Sequence, residues 1–336
     1  MTSFDSIFFS CKKELAKMLL IFFSNSELEL PLSLRSPNNP AQRVIKVFLI
    51  IMALISCSVT SHPTIKSTIR PSLKQSSDVK FRRILSAKWQ IDRSGLINLD
   101  HPTAIKAGIK DELEPIEIYF YAIEHPSGLY LIDTGVSKII FDEDKTPIPW
   151  IMKSMMNFDL LVPQTTTEEF IARSAEVKGV FLTHMHADHI MGLPAVRNSS
   201  DIYIGPNESS FTHMRNLGVN GVTDDLLAGH KPLKELHFPK NTGSGLSSID
   251  FFGDQSLIIY HTPGHTPGSL AFQIKTLDSY HLVTGDTCHT VWGWNNGVTP
   301  GEFTLDHDEN QKSLLFLKNI AKKLNAKVHL GHQSLY

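Results

Sequence analysis

His184-Met185-His186-Ala187-Asp188-His189 is the stretch that decides how this chain of 336 residues is read. Val180-Phe181-Leu182-Thr183 leads into it as a short apolar strand, and the chain then turns towards a helix expected at 190–197. Alternate side chains of an extended segment point to one side, so His184 and His186 can meet one metal ion. Asp188 and His189 come as the chain turns, which lets them face a neighbouring second ion. The competing reading is a cluster of ordinary satisfied histidines. With this many His and Asp, the pattern arises by chance only roughly two times in a thousand, which favours ligands.

Working outward, three more groups of the same chemistry stand at similar places. His265 lies in the tight loop Thr262-Pro263-Gly264-His265-Thr266-Pro267-Gly268, Asp286 in Thr284-Gly285-Asp286-Thr287, and His332 after Leu330-Gly331. Upstream, Ile116 to Ile123 reads as a strand, Pro126-Ser127-Gly128 as a turn, and Leu129 to Ile132 as a returning strand that ends at Asp133-Thr134-Gly135. Further strands are expected at 201–204, 257–260, 282–284 and 327–330. Leu314, Leu317, Ile320, Ala321 and Leu324 recur at helical spacing, which predicts a helix over about 308–325 capped by Asp306 or Asp308. Each candidate ligand thus follows a strand, so that rigid sheets would hold the loops that present it.

The ordered set Asp133-Thr-Gly, His184-x-His186-x-Asp188-His189, His265, Asp286 and His332 resembles the metallo-β-lactamase superfamily, over about residues 116–336. The resemblance implies an α/β fold, a four-layer αββα sandwich forming a single catalytic domain, with a two-metal site at one edge. His184, His186 and His265 would hold one ion, Asp188, His189 and His332 the other, and Asp286 would bridge them. Asp133 would hold a ligating imidazole in its tautomer. Such donors suit two Zn²⁺, with Fe or Mn as alternatives at the carboxylate-richer second position. A hydroxide shared by two metals is a strong nucleophile at neutral pH.

Fold alone does not choose a reaction. In zinc β-lactamases with a Cys ligand, that Cys stands where this chain has Asp286, and others lack a bridging carboxylate, which argues against a β-lactamase. The pattern is nearest to acyl-homoserine lactonases and esterase-like hydrolases, implying cleavage of an ester or lactone of a small, partly apolar molecule. The alternatives are a phosphodiesterase on the same metals and a metal-binding sensor or scaffold without turnover. Lactonases of this kind carry a Tyr three residues after the bridging Asp, where this chain has His289. An imidazole can offer a comparable hydrogen bond and also give up a proton, with Asp188 or water as the other candidate acid. The bland alternative packs His289 beside Trp292.

Other features are weaker. The Met- and Trp-rich segment 148–163 reads equally as core or as a substrate lid, and Trp292 and Trp294 as an aromatic wall. His261 is a poorer ligand than His265, Cys288 reads as a buried inert thiol, and Gly243-x-Gly245 lacks the pattern of a nucleotide loop. His101, His125, His213, His230, His237 and His281 read as scattered surface or core residues. Lys and Arg total 32 against 34 Asp and Glu, so no basic excess points to nucleic acid. Three cysteines are too few for a disulfide framework.

The N-terminal region reads separately. Phe48 to Ile55 is an apolar run preceded by Arg43 and Lys46, too short to span a membrane and ending in Leu54-Ile55-Ser56-Cys57. This resembles a bacterial lipoprotein signal with Cys57 as the acylated residue. Residues 1–57 are therefore expected to be an extension and signal peptide, 58–79 a flexible linker rich in Ser, Thr, Pro and Lys, and 80–336 the hydrolase domain. That places the protein in a bacterial cell envelope, with a membrane contact only through the lipid anchor. A cytoplasmic protein with a buried strand at 47–55 is the alternative.

Overall fold

The structure, a computed structural model, describes residues 57–69, 78–213, 215–239 and 245–336. Residues 1–56 of the expected extension and signal peptide, part of the expected linker and Gly243 lie outside the described residues. Among the described residues, fifteen strands follow in chain order. They are β1 (Cys57–Ser58), β2 (Thr64–Ser67), β3 (Lys80–Asp92), β4 (Leu113–His125), β5 (Gly128–Ile132), β6 (Val162–Pro163), β7 (Val177–Phe181) and β8 (Asp201–Ile204). Then come β9 (Thr212–His213), β10 (Leu233–Leu236), β11 (Ser248–Asp250), β12 (Leu257–His261), β13 (Leu270–Lys275), β14 (Tyr280–Val283) and β15 (Lys327–His329). One sheet has the order β2-β10-β8-β7-β5-β4-β3-β6, a second the order β11-β12-β13-β14-β15, and β1 pairs only with β9.

The pleat sorts side chains between two cores. On β4, Ile116, Ile118, Phe120 and Ala122 face the outer cluster, while Tyr119, Tyr121 and Ile123 face the second sheet. On β13, Leu270, Phe272 and Ile274 meet them, and Ala271 turns outward. Against the outer face of the second sheet lies the long helix His307–Leu324, whose Leu314, Leu317 and Ala321 pack on Tyr260, Leu282 and Val328. Shorter helices cover the outer face of the first sheet. Helix, sheet, sheet, helix is the αββα sandwich that the resemblance implied. Burial of each large apolar side chain contributes about 1.5–3 kcal/mol, so both cores hold the sheets that present the site loops.

Among the described residues the helices are, in chain order, α1 (Arg93–Leu96), α2 (Pro102–Ala107), α3 (Trp150–Met155), α4 (Thr167–Ile171), α5 (Ala187–Ile190), α6 (Asn216–Leu226), α7 (Val291–Asn296) and α8 (His307–Leu324). Asp306 caps α8 by accepting from Glu309 N–H at 2.9 Å. The helix expected at 190–197 is instead the single turn α5, followed by a 3₁₀ turn, Leu193–Ala195. Pro194 has no N–H to continue an α-helix.

The expected linker is not a free tether throughout. Thr64–Ser67 pairs in parallel with β10 as an edge of the first sheet, and Lys66 ion-pairs with Glu235. Just before it, Asp224 of α6 accepts from the Ser61 N–H at 2.9 Å and from the hydroxyls of Thr60 and Ser61. A polar stretch with few apolar residues reads as linker, but a sheet edge can fix it through backbone bonds joined by a few polar side-chain contacts. No helix among the described residues is long and apolar enough to cross a membrane.

Candidate metal centre

Each ligand candidate sits where a strand gives way to a loop. β7 ends at Phe181, and Thr183 is tied by its N–H to Asp133 Oδ1 at 2.7 Å and by its hydroxyl to Asp133 Oδ2 at 3.0 Å. That anchors the start of the His184–His189 loop. Asp133 follows β5 with φ of 55°, a left-handed conformation that costs a non-glycine residue energy and turns its carboxylate inward. Its Oδ2 also meets His189 Nδ1 at 2.8 Å.

The same arrangement recurs around the site: an outer ring nitrogen is held, and the inner one is left facing the centre. His265 Nδ1 meets the Thr304 hydroxyl at 3.2 Å, and its backbone N–H donates to Asn310 Oδ1 at 3.1 Å. His332 Nδ1 lies 3.3 Å from the carbonyl oxygen of Glu117 on β4. In the centre, Asp286 Oδ2 lies 3.5 Å from the Nε2 atoms of His184 and His265 and 3.3 Å from those of His189 and His332. Asp188 Oδ2 lies 3.3 Å from His332 Nε2 and 3.5 Å from His189 Nε2.

Two groups result, each with donor atoms within 4.8 Å of one another: His184, His186, His265 and Asp286, and Asp188, His189, Asp286 and His332. All seven residues expected to be ligands are brought together, with Asp286 common to both groups. His184 Nε2, His189 Nε2 and Asp286 Oδ1 are buried without a hydrogen-bond partner. Each such orphan costs about 1–3 kcal/mol unless something satisfies it, and a cation among nitrogen and carboxylate donors does so. The residues fit a pair of divalent metal ions.

Electrostatics divide the rings between the two groups. Burial, reinforced by neighbouring imidazoles, holds His184 and His265 well below the usual histidine range, and burial pushes His186 down to about 4. These three rings are neutral at pH 7, the form that binds metal. Burial also opposes charge on His189 and His332, but Asp286 and Asp188 outweigh it and push both up. Asp286 is held well below the usual carboxylate range, because the imidazoles led by His289 and His189 outweigh its burial.

The family's sequence pattern, described as the metallo-beta-lactamase superfamily, matches residues 114–332. The chain belongs to this superfamily. It is a metal-dependent hydrolase of that fold. N-acyl homoserine lactonase AttM of Agrobacterium fabrum (strain C58) is 26% identical over 237 residues, covering 65% of this chain and 82% of that protein. The crystal structure of a quorum-quenching N-acyl homoserine lactone lactonase aligns with a TM-score of 0.54 at 18% identity, over 77% of this chain and 94% of the other. A probable metal-dependent hydrolase from Staphylococcus aureus aligns at 0.55 and 11%, over 77% and 91%.

In this member of the superfamily the centre opens into a cavity of ≈ 270 Å³. His186, Asp188, His265, Asp286, His289 and His332 line its floor, and Trp89, Met152, Met155, Met156, Phe211 and Phe303 its walls. Segment 148–163 thus supplies wall as α3 and the residues after it, with Met155 at the mouth 78% exposed and Trp150, outside the lining, equally so. The aromatic wall expected from Trp292 and Trp294 is not there. Trp292 packs against the outer core, and Trp294 lies under the Lys318 ammonium. Trp89, Phe211 and Phe303 take that place because β3, the loop before β9 and the loop before α8 converge on the site.

His289 is buried, with Nε2 2.9 Å from Asp286 Oδ2 and its ring against His332 and His265 rather than Trp292. Burial holds it below its ordinary range, so at neutral pH it is an uncharged ring that can donate one hydrogen bond. His261 pairs with the Pro267 carbonyl at 2.8 Å and stays outside both groups. Cys288 is buried, which pushes its thiol up to about 12 and leaves it inert. His213, read as scattered, lines the cavity, and nothing in its local sequence marks it.

Proposed function

We propose that this hydrolase cleaves an ester or lactone of a small, partly apolar molecule, using two zinc ions. The observation that carries the reading is the pair of donor groups sharing Asp286 at the floor of an apolar-walled cavity. His184, His186 and His265 would hold one ion and Asp188, His189 and His332 the other, with Asp286 common to both. Bound there, the metal pair supplies Lewis acidity and lowers the pKa of water towards neutrality.

The chain's own residues do the rest. The apolar wall takes the acyl portion and keeps bulk water from the scissile bond. His289 donates a hydrogen bond to the carbonyl oxygen of the substrate. Asp188, on the open side of the floor, takes up a proton and returns it to the leaving oxygen. Asp133 keeps the His189 ring turned inward. The lining favours an ester over a phosphodiester: outside the metal donors, Arg215 is the only Lys or Arg among the described lining residues, set against Asp92 and Glu302, so no cationic cluster is there to hold a second anionic group. Relatives named N-acyl homoserine lactonases support the lactone end of this range.

The test is a panel of lactones, aryl esters, thioesters, β-lactams and phosphodiesters, run on protein whose metal content has been measured. Lactones or esters are expected to give the highest kcat/KM, with two zinc ions per chain; elemental analysis also settles iron or manganese at the second position. A two-metal protein that turns over phosphodiesters and leaves every ester untouched would overturn the reading.

A further inference from the structure

Glu208 is fully buried in the turn Gly205-Pro206-Asn207-Glu208 that follows β8, and its carboxylate accepts three hydrogen bonds. Oε1 accepts from the Met185 N–H at 2.8 Å, inside the His184-Met185-His186 stretch. Oε2 accepts from the Thr266 hydroxyl at 2.7 Å and from the Gly268 N–H at 3.0 Å, in the loop that carries His265. One side chain therefore spans the two loops that bring the first three imidazoles together, without bonding to any of them. All three partners donate to the carboxylate oxygens, Oε1 serving one loop and Oε2 the other, so each loop is held by a bond the other cannot replace. A buried charge is tolerated only when satisfied in this way.

The backbones leave no slack for another arrangement. A Cβ on Gly205 would lie 1.8 Å from the Gly268 carbonyl oxygen, and one on Gly268 would lie 2.5 Å from Glu208 Cβ. The turn after β8 is thus packed directly onto the His265 loop, and Glu208 reaches past the contact to the His184–His186 stretch.

We propose that Glu208 is a positioning residue for the first metal group, setting the separation between His184 and His186 on one loop and His265 on the other. This rests on the two-metal reading above. The prediction is specific to one group, because Asp188, His189 and His332 receive no bond from Glu208.

The test uses the full chain loaded with cobalt, read by chelator competition and by the ligand-field absorption of the bound ions. Glu208→Gln preserves volume but replaces one accepting oxygen with an amide NH₂, so one loop loses its bond. One of the two cobalt ions is expected to bind roughly 10–100-fold more weakly with an altered spectrum, while the other changes little. A core truncation in the inter-sheet layer, Ile274→Ala, is the control for general destabilisation and should leave both affinities and the spectrum as in wild type. Should Glu208→Gln not fold, Thr266→Val removes a single hydroxyl of the same network and is expected to weaken the same ion. Folded variants with wild-type affinities and spectrum, or equal weakening of both ions, would overturn the role. A wild-type chain that holds no cobalt would instead overturn the two-metal reading, and this inference with it.

Discussion

At the scale of single residues, the centre depends on side chains that touch the donors as much as on the donors. Asp133 is the clearest case, holding both Thr183 and the His189 ring from a left-handed backbone position. Asp133→Ala is expected to lower the affinity for metal about 10–100-fold, measured by competition with a chelator. His289→Ala is expected to lower kcat roughly 10²–10⁴-fold while elemental analysis finds the metal unchanged. Near-wild-type turnover in that variant would exclude His289 from the reaction and leave proton transfer to Asp188 or water. The candidate donors were legible because four of them fall within six residues and the rest follow strands. Glu208 was not, since its partners are backbone groups of distant loops, and no spacing in the sequence records them.

At the scale of elements, β14 and β15 carry a second histidine pair away from the centre. His281 Nδ1 and His329 Nε2 are 3.0 Å apart, packed beside Phe81 of β3 and Tyr121 of β4, with Ser279 3.0 Å from His281 Nε2. Burial first, and then Lys327, pushes His281 down to about 4; burial, His281, Arg83 and Lys327 push His329 to about 3. Both lie below the ordinary value of 6.5, so in that window the unfolded chain binds more protons than the folded one. Their contribution is full above pH 6.5 and is lost as pH falls towards these depressed values. Melting of metal-free His329→Leu should therefore lose less stability than wild type between pH 6.5 and 4. Parallel slopes for the two proteins would contradict this. Seven strands, β4, β5, β7, β8, β12, β14 and β15, were legible from apolar and β-branched runs, whereas β3, β10, β11 and β13 were not expected from the sequence. Pro194 already marks the shortness of α5 in the sequence, whereas the edge strand β2 was not legible, because backbone pairing to a distant strand decided it.

At the scale of the whole molecule, folding and metal binding are linked, since the donors converge only in the folded chain. Chelation is expected to abolish hydrolysis and lower Tm, and each site saturated at about a thousandfold over its Kd contributes roughly 4 kcal/mol. Calorimetry before and after reloading zinc checks this, and an unshifted Tm would sink it. We propose further that the mature protein begins at an acylated Cys57 in a bacterial envelope, the backbone of that residue pairing with His213 beside the cavity. Intact mass of protein from its native host is expected to lack residues 1–56, and finding them retained would count against the anchor. By itself, the sequence determined the donor types, their order along the chain and the strand-then-loop setting of each, because these are properties of neighbouring residues. The resemblance implied which rings share Asp286; only the tertiary structure decided that Glu208 ties two ligand loops, and that Trp89, Phe211 and Phe303 rather than Trp292 and Trp294 wall the cavity. Those are contacts between segments tens to hundreds of residues apart, set by how two sheets pack face to face.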